Sequence, residues 1–220
     1  MAYVTLVHSG ERRPVRSIYC IGRNYVKHAA ELGNAVESEP VIFLKPLSSI
    51  IHEDEAIRLP AFSHNVHHEV EIVVLLGSGG RNIPRENALA CVAGYAVGLD
   101  LTARDTQDAL KAKGLPWAKA KGFDTSACLS HFLDTAYVED PAQIHFSLRV
   151  NGEIRQQGDS ALMLFPIDSL ISHLSTIFTL AEGDLIFTGT PEGVSRIVEG
   201  DMLEISMQNG PRAAFKVSGE

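Results

Sequence analysis

The sequence predicts an α+β fold that is dominated by β-strands and built as a single domain over residues 1–220. Three observations support this prediction: short apolar runs end at glycine or proline, an Asn-Gly turn joins two strand patterns, and few segments show helical spacing. With 220 residues, of which 45% are hydrophobic, the chain is long enough to bury a full core. No repeat, low-complexity tract or linker divides it.

The first half of the chain is rich in strand patterns that are separated by glycine and proline. A segment that starts with proline then predicts a short helix, and a polar stretch after the next apolar run predicts a second one. In chain order, the predicted elements are strands over 15–21, 41–45 and 67–77, a helix between 84 and 91, a strand over 95–101 and a helix over 103–113.

The clearest local pattern of the second half is a hairpin over 143–157. Asn151-Gly152 separates its two strand patterns, and this dipeptide supplies the positive φ angles of a type I′ turn. A helix is predicted over 165–179, because Pro166 is followed by large apolar residues at helical spacing. Short closing strands are predicted over 184–188, 202–206 and 213–217.

The charge and the cysteine content argue against several classes of partner and location. A formal net charge of −8 and a pI of about 5.6, without a basic stripe, argue against nucleic acid as a partner. The three cysteines are widely spaced and odd in number, which is typical of reduced thiols in the cytoplasm. No stretch resembles a signal peptide, and no apolar run approaches the roughly 20 residues that a bilayer requires. We therefore expect a cytoplasmic protein without a membrane partner.

Two carboxylates stand two residues apart in the third predicted strand, whose downstream half is wholly apolar. Successive side chains in a strand alternate between faces, so Glu69 and Glu71 are expected to point to one side, with His67 beside them. A buried carboxylate pair needs a cation, and carboxylate oxygens suit Mg²⁺, Mn²⁺ or Ca²⁺. The alternative is a half-exposed strand whose glutamates are only solvated, because spacing determines the shared face and not its burial.

A histidine and a glutamate lie three residues apart on a short predicted helix that ends at Gly33. His28 and Glu31 can touch at this spacing, so Glu31 can orient the imidazole, and His28 is a candidate general base. The competing interpretation is an exposed helix with an incidental ion pair. Segments 99–107 and 121–124 carry cations and an amide in apolar surroundings, which either bind substrate anions or are solvated at the surface.

Three other motifs fall short of the patterns that they suggest. Gly77–Gly80 lacks the sixth-position glycine and the βαβ setting of a dinucleotide loop. Gly158–Leu162 lacks the final glycine of a serine-hydrolase elbow. Neither cysteine pairs nor a His-Glu-x-x-His pattern supports a zinc site.

Six motifs that follow one another along nearly the whole chain resemble those of the fumarylacetoacetate hydrolase family. They are Gly22-Arg23-Asn24-Tyr25 with His28 and Glu31, the segment 39–46, His67-His68-Glu69-Val70-Glu71, the segment 94–105, Lys119–Asp124 and Thr188–Val194. The resemblance is strongest to the compact single-domain branch, which includes acylpyruvases, fumarylpyruvate hydrolases and isomerase/decarboxylase-like bacterial proteins. It implies a mixed β-roll of the family's C-terminal-domain type and a homodimer.

The resemblance also implies roles for individual residues. The family's three carboxylate ligands for Mg²⁺ or Mn²⁺ are matched by Glu69, Glu71 and Asp100. His28 and Glu31 match its water-activating pair, and Lys121 matches the lysine beside the metal. Lys45 either balances charge near the carboxylates or has a structural role. The positions that hold the carboxylate and carbonyl oxygens of the substrate are matched by Arg23, Arg104, Gln107 and Thr190.

The function that the resemblance implies is metal-dependent hydrolysis of a carbon–carbon bond in a small 2-oxo acid. The expected substrate is a 3-acylpyruvate such as fumarylpyruvate or acetylpyruvate. His28 takes a proton from the attacking water, Lys121 and Gln107 stabilise the oxyanion, and pyruvate is released. An alternative uses the same site without an attacking water, for oxaloacetate decarboxylation or isomerisation of 2-hydroxyhepta-2,4-diene-1,7-dioate. A third interpretation is a protein that binds small dicarboxylates without turnover.

Overall fold

The computed structural model describes residues 2–31, 33, 37–53 and 55–219. Its fold is α+β and dominated by strands, as the sequence predicts. The strands are β1 (Tyr3–Thr5), β2 (Arg12–Pro14), β3 (Ile18–Gly22), β4 (Val41–Lys45), β5 (Ile50–Ile51), β6 (Ile57–Arg58), β7 (Val66–His68), β8 (Val70–Leu76), β9 (Val92–Asp100), β10 (Thr102–Ala103), β11 (Ala127–Leu129), β12 (Leu133–Asp134), β13 (His145–Val150), β14 (Glu153–Asp159), β15 (Leu185–Phe187), β16 (Ser195–Arg196), β17 (Met202–Met207) and β18 (Arg212–Ser218). The α-helices are α1 (Val26–Glu31), α2 (Arg85–Ala88), α3 (Arg104–Lys111), α4 (Ala118–Lys121) and α5 (Ile167–Ile177).

The largest sheet is a curled half-barrel with the long antiparallel pair β8 and β9 at its centre. Its strand order is β4-β3-β15-β8-β9-β11-β5, and β12 pairs with the beginning of β9. Two neighbouring pairs in it are parallel, β3 with β15 and β5 with β11. A second sheet has the order β14-β13-β17-β18-β6. The order β10-β7-β16 forms a small third sheet, and β1 and β2 form a ribbon.

The core lies on both faces of the half-barrel, because β8 is buried along its whole length. Alternate residues of β8 belong to two different apolar clusters, with Ile72 and Val74 in one and Val73 and Leu75 in the other. The first cluster also contains inward-facing residues of the second sheet and of α5, and the second contains residues of the N-terminal ribbon. A carboxylate on β8 therefore has no solvated face to point to.

The predicted carboxylate strand is two strands rather than one. β7 ends at His68 and β8 begins at Val70, with Glu69 between them. β7 pairs with β10 and β16, whereas β8 pairs with β9 and β15. The prediction of one continuous strand from His67 to Gly77 was wrong, because the chain changes sheets at Glu69 and no local pattern indicates that change.

The other predicted elements form with shifted ends. The first strand begins at Ile18 rather than Val15, because the Val15 N–H donates to the Ala2 carbonyl beside the N-terminal ribbon. The polar helix and the helix after Pro166 are α3 and α5. Helix α4 and strands of two or three residues, such as β10 and β16, were not predicted.

Within the described ranges, no helix has the length and apolar content needed to cross a membrane.

The Asn-Gly hairpin is confirmed. β13 and β14 pair antiparallel, and the turn residues Asn151 and Gly152 have φ angles of 53° and 81°. Two positive φ angles in succession are the mark of a type I′ turn. The Asn151 side chain also accepts from the Met202 N–H and donates to Asp201 Oδ1, both at 2.9 Å. A Cβ built on Gly152 would have no other heavy atom within 4 Å.

Gly152→Ala should therefore destabilise the protein through its backbone alone. We expect the free energy of unfolding to fall by about 1–2 kcal/mol, because a residue with a Cβ is strained at this φ even in open space. Denaturant unfolding of the wild type and the variant measures the difference. An unchanged midpoint with an unchanged slope would contradict the type I′ assignment.

Candidate functional site

Three carboxylates meet where the chain passes from β7 to β8 and where β9 ends. Oxygens of Glu69, Glu71 and Asp100 lie within 4.8 Å of one another, and all three residues are buried. The Asp100 N–H donates to the Glu69 carbonyl at 2.8 Å, which continues the β8–β9 ladder past the break. The two glutamates point to one side, as strand alternation predicts, and their burial excludes the interpretation as solvated side chains.

Buried cations surround two of these carboxylates. Lys121 Nζ donates to Glu69 Oε2 at 2.7 Å and to Asp100 Oδ2 at 2.6 Å. Arg104 binds the other Glu69 oxygen, and Lys45 Nζ lies 2.8 Å from Asp100 Oδ1. Burial alone would raise the pKa of Glu69, but Lys121 and Arg104 outweigh it and lower that pKa. Burial would likewise lower the pKa of Lys121, but Asp100 and Glu69 hold it above its ordinary value.

Glu71 differs from the other two carboxylates, because no cationic side chain of the described residues forms an ion pair with it. Its Oε2 accepts a hydrogen bond from the Gly189 N–H at 2.7 Å. Burial, followed by repulsion from Asp100 and Glu69, raises the pKa of Glu71 well above its ordinary value. A carboxylate in this environment needs either a proton or a cation.

A divalent ion fits this set of donors. Asp100 Oδ1 is buried and accepts no hydrogen bond within the described chain, since the Lys45 ammonium approaches it outside hydrogen-bond geometry. This oxygen and the uncompensated Glu71 belong to a cluster that offers only carboxylate oxygens. Mg²⁺ and Mn²⁺ prefer such ligands, and an ion there would neutralise the carboxylate that the protein leaves without a cation.

The loop that follows β15 connects the carboxylates to the predicted His-Glu pair. Gly189 donates to Glu71, and the Gly193 N–H donates to both oxygens of Glu31, at 3.1 and 3.2 Å. Gly189 has a φ of 100°, and a Cβ there would lie 2.7 Å from Asn24 Cβ. Only glycine therefore lets the chain bring its N–H to Glu71 at this position.

His28 is buried on α1, with 5% of its surface exposed, and its Nδ1 lies 3.4 Å from Glu31 Oε2. Burial lowers the pKa of His28, while Glu69 and Glu31 oppose that shift. The imidazole is therefore neutral near pH 7. Glu31 favours a proton on Nδ1, which leaves Nε2 as an acceptor. The burial of His28 excludes an incidental pair on an exposed helix.

Helix α3 contributes an arginine and an amide to the site. Arg104 donates to Gln107 Oε1 at 2.6 Å, which leaves the Gln107 NH₂ group for a ligand.

The Thr190 hydroxyl donates to the Val70 carbonyl at 2.8 Å, so its proton is used within the protein. Gln156 donates to Thr190 Oγ1 at 2.9 Å. The hydroxyl of Thr190 thus connects the loop to the start of β8.

Gln156 is a site residue that the sequence analysis missed. Its amide oxygen accepts from the Val70 N–H at 3.0 Å and lies 2.9 Å from His68 Nδ1, on the two sides of the break at Glu69. Its NH₂ group donates to Thr190 and to the Pro191 carbonyl, both at 2.9 Å. Gln156 therefore fixes the break against the loop. It lies on β14 of the hairpin, and only the alternation of that strand could have indicated that it faces inward.

One cleft brings together the predicted site residues other than Glu31 and Asp100. Its cavity of about 30 Å³ has room for an ion or a small number of waters. Glu31 reaches the cleft through His28, and Asp100 reaches it through Lys121. The lining also contains five residues without a role predicted from the sequence, namely Ile21, Gly22, Phe43, Lys111 and Trp117.

Comparisons with known proteins agree with this fold. Residues 17–218 match the family model described as fumarylacetoacetate (FAA) hydrolase C-terminal. The chain is 46% identical over 202 residues to oxaloacetate tautomerase FAHD1, mitochondrial, from Rattus norvegicus, which covers 92% of this chain and 91% of that protein. It is 45% identical over 194 residues to oxaloacetate tautomerase YcgM from Escherichia coli (strain K12), which covers 88% of this chain and 89% of that protein.

A solved structure extends the similarity to three dimensions. The crystal structure of fumarylpyruvate hydrolase from Pseudomonas aeruginosa in complex with Mn²⁺ and pyruvate has a TM-score of 0.95 to this chain at 37% identity. The match covers 100% of this chain and 96% of that one. The predicted β-roll of the C-terminal-domain type is confirmed.

Glu71→Gln should separate metal binding from stability. The amide removes a buried charge that lacks a cation and can still accept from Gly189, so we expect the metal-free variant to be as stable as the wild type or more stable. Mn²⁺ at 100 times its Kd should stabilise the wild type by about 2.7 kcal/mol and the variant by much less. Denaturant unfolding with Mn²⁺ or with a chelator measures both effects.

Glu69→Gln is the matched control, because the same isosteric change there leaves Arg104 without a carboxylate and Lys121 with Asp100 alone. We expect it to destabilise the metal-free protein by about 3–5 kcal/mol. If Glu71→Gln responded to Mn²⁺ as the wild type does, Glu71 would not be a metal ligand.

Proposed function

The chain belongs to the fumarylacetoacetate hydrolase family, and from this we propose that it catalyses the metal-dependent interconversion of the keto and enol forms of oxaloacetate. The observation that carries this proposal is the cleft in which a buried, neutral His28 shares the lining with Glu69 and Glu71. A base and a cation site in one small cavity suit the removal of a proton next to a carbonyl group.

Glu69, Glu71 and Asp100 would hold Mg²⁺ or Mn²⁺. When bound, the ion supplies Lewis-acid polarisation of the 2-oxo group and a fixed position for the 2-oxo acid. The ion is supported here by the donor set itself, and by the Mn²⁺ of the similar Pseudomonas aeruginosa structure.

The charges around the cluster favour a substrate with two carboxylates. Glu69, Glu71 and Asp100 are matched by three buried cations, Lys45, Arg104 and Lys121. A divalent ion therefore adds two positive charges that these groups leave uncompensated, and Lys111 adds another to the lining of the same cleft. A dicarboxylate anion compensates more of this excess than a monocarboxylate does, in a site that is poorly solvated.

His28 moves the proton. Its Nε2 takes a proton from C3 of the keto form, while Glu31 keeps Nδ1 protonated and stabilises the imidazolium that forms. A proton returned to the 2-oxo oxygen completes the enol, so that no atom is gained or lost. Lys121 and the NH₂ group of Gln107 would stabilise negative charge on that oxygen during the transfer.

The remaining predicted contacts orient the substrate. Arg104 and Arg23 line the same cleft. Arg104 would bind the inner carboxylate, because a guanidinium group matches the geometry of a carboxylate, whereas Arg23 is paired with Glu37. Thr190 would act through its position in the loop, since its hydroxyl proton is donated to Val70.

Hydrolysis of a 3-acylpyruvate is the second candidate function. It is favoured by the similarity to fumarylpyruvate hydrolase, and it uses His28 to take a proton from water instead of from C3. This reaction is the first prediction from the sequence. The relatives named oxaloacetate tautomerase support the alternative without an attacking water better. The cytoplasmic location and the homodimer stay predictions.

A substrate panel tests the proposed function. With Mg²⁺ or Mn²⁺, we expect rapid loss of enol-oxaloacetate absorbance and slower release of pyruvate from acetylpyruvate. A chelator should abolish both. Release of pyruvate from acylpyruvates without faster enol decay would favour hydrolysis, and pyruvate with carbon dioxide from oxaloacetate would favour decarboxylation. Binding of these acids without turnover would identify a dicarboxylate-binding protein.

His28→Ala should lower the rate of enol decay by about 10²- to 10⁴-fold, because general-base catalysis is lost, while the stabilisation by Mn²⁺ persists. His64→Ala is the control, since His64 is exposed.

In the wild type, activity should fall as the pH decreases through a midpoint below 6.5, because burial lowers the pKa of the base. Glu31→Gln removes an interaction that raises this pKa, so it should move the midpoint to a lower pH. A midpoint above 6.5 would contradict the assignment of His28.

A further inference from the structure

Helix α3 directs three polar side chains toward the cleft. Arg104, Gln107 and Lys111 are spaced i, i+3 and i+7, which places them on one face of the helix. Arg104 and Gln107 are buried beside the carboxylates, and Lys111 is partly exposed. The Lys111 backbone lies about 6 Å farther along the helix axis than that of Gln107, so Lys111 is at the mouth of the same cleft.

Lys111 is a cation without a carboxylate partner. Its Nζ lies 5.4 Å from the centre of the Trp117 ring, and no described carboxylate forms an ion pair with it. Burial lowers the pKa of Lys111, and Arg104 and Arg23 lower it further, with Asp108 opposing them. The mouth of the cleft is therefore positive although the whole chain carries a formal net charge of −8. An ammonium in such surroundings is stabilised by an anion.

The second cation at the mouth is already paired. Arg23 forms an ion pair with Glu37, whereas Lys111 has only the face of an aromatic ring. Among the described residues at the mouth, Lys111 is therefore the cation that is free to bind a ligand carboxylate.

A continuous aromatic wall joins Lys111 to the inner part of the site. Lys121 Nζ lies 4.9 Å from the Phe43 ring centre, and the centres of the Phe43 and Trp117 rings are 5.9 Å apart. At the other end, Lys111 Nζ lies over the Trp117 ring. The Trp117 carbonyl also accepts from the Lys121 N–H at 3.0 Å, so the same turn carries both the wall and the inner lysine. The wall separates an inner cation from an outer one along the cleft, with apolar surface between them.

We propose that Lys111 determines substrate specificity by binding the distal carboxylate of a 2-oxo dicarboxylate, while the 2-oxo acid end lies beside Lys121 and the carboxylate cluster. The inference rests on the proposed function, because that function defines which end of the substrate lies inside. It extends the function by naming the residue that distinguishes a dicarboxylate such as oxaloacetate from a monocarboxylate such as pyruvate.

The chain offers a direct measure of binding, because Trp117 is its single tryptophan and lines the cleft. Oxaloacetate and pyruvate differ by the distal carboxylate, and each can be titrated into Mg²⁺-loaded protein while Trp117 emission is followed by rapid mixing. For Lys111→Met, we expect at least about a tenfold loss of affinity for oxaloacetate, as for a lost hydrogen bond to a charged group. The affinity for pyruvate should change by less than about twofold, which also shows that the variant is folded.

Two variants complete the experiment. Lys113→Met removes the same charge from an exposed position that does not line this cleft, and it should leave both affinities unchanged. Lys111→Arg should restore most of the preference for oxaloacetate. Equal weakening of both ligands by Lys111→Met, or an equal effect of Lys113→Met, would overturn the proposal. Trp117 emission reports binding before turnover, so the experiment tests Lys111 even if the protein does not tautomerise oxaloacetate. If the protein is active but does not bind oxaloacetate in preference to pyruvate, only the proposal about Lys111 is refuted.

Discussion

Compensation of buried negative charge is the constraint on which the site depends. Three carboxylates lie within 4.8 Å of one another inside a sheet that is buried on both faces. Isolated ionised carboxylates are not taken out of water without cations, so Lys121 and Arg104 must approach from α4 and α3. The packing of these two helices against β10, which directly follows β9, therefore follows from the charges that they neutralise. The remaining carboxylate, Glu71, is the one that the protein leaves to a proton or an ion.

The loop after β15 gives the site a second kind of order. It holds Glu71 and Glu31 with backbone N–H groups, so the identity of Gly189 matters for its φ angle and not for any chemistry of its own. Through Gly193 the same loop holds Glu31, which in turn orients His28. The position of the base and the position of the uncompensated carboxylate are thus set by one short segment, and Gln156 fixes that segment against the break at Glu69.

The parts of the structure that could be predicted are those whose cause is local. The turn at Asn151 needs only two residues that accept positive φ, and α5 needs only the spacing of its apolar side chains. Alternation correctly placed Glu69 and Glu71 on one side, although the strand breaks between them. The break itself, the two-residue strands and the role of Gln156 depend on partners far away in the chain. Asp100 joined the carboxylates only through the family resemblance, because nothing nearby in its sequence relates it to β8.

The hydrogen bonds from the loop after β15 span 118 residues to Glu71 and 162 residues to Glu31. Contacts of such separation form late, because the entropy of closing the intervening chain must be overcome first. During synthesis, Glu31 and Glu71 leave the ribosome long before Gly193 and Gly189, which orient them. A nascent chain therefore contains the acidic residues before the hydrogen bonds that orient them can form. Release of the chain before residue 193 would yield a polypeptide with every proposed ligand and an unoriented base. The order of the sequence thus delays competence for chemistry until the loop after β15 has been synthesised.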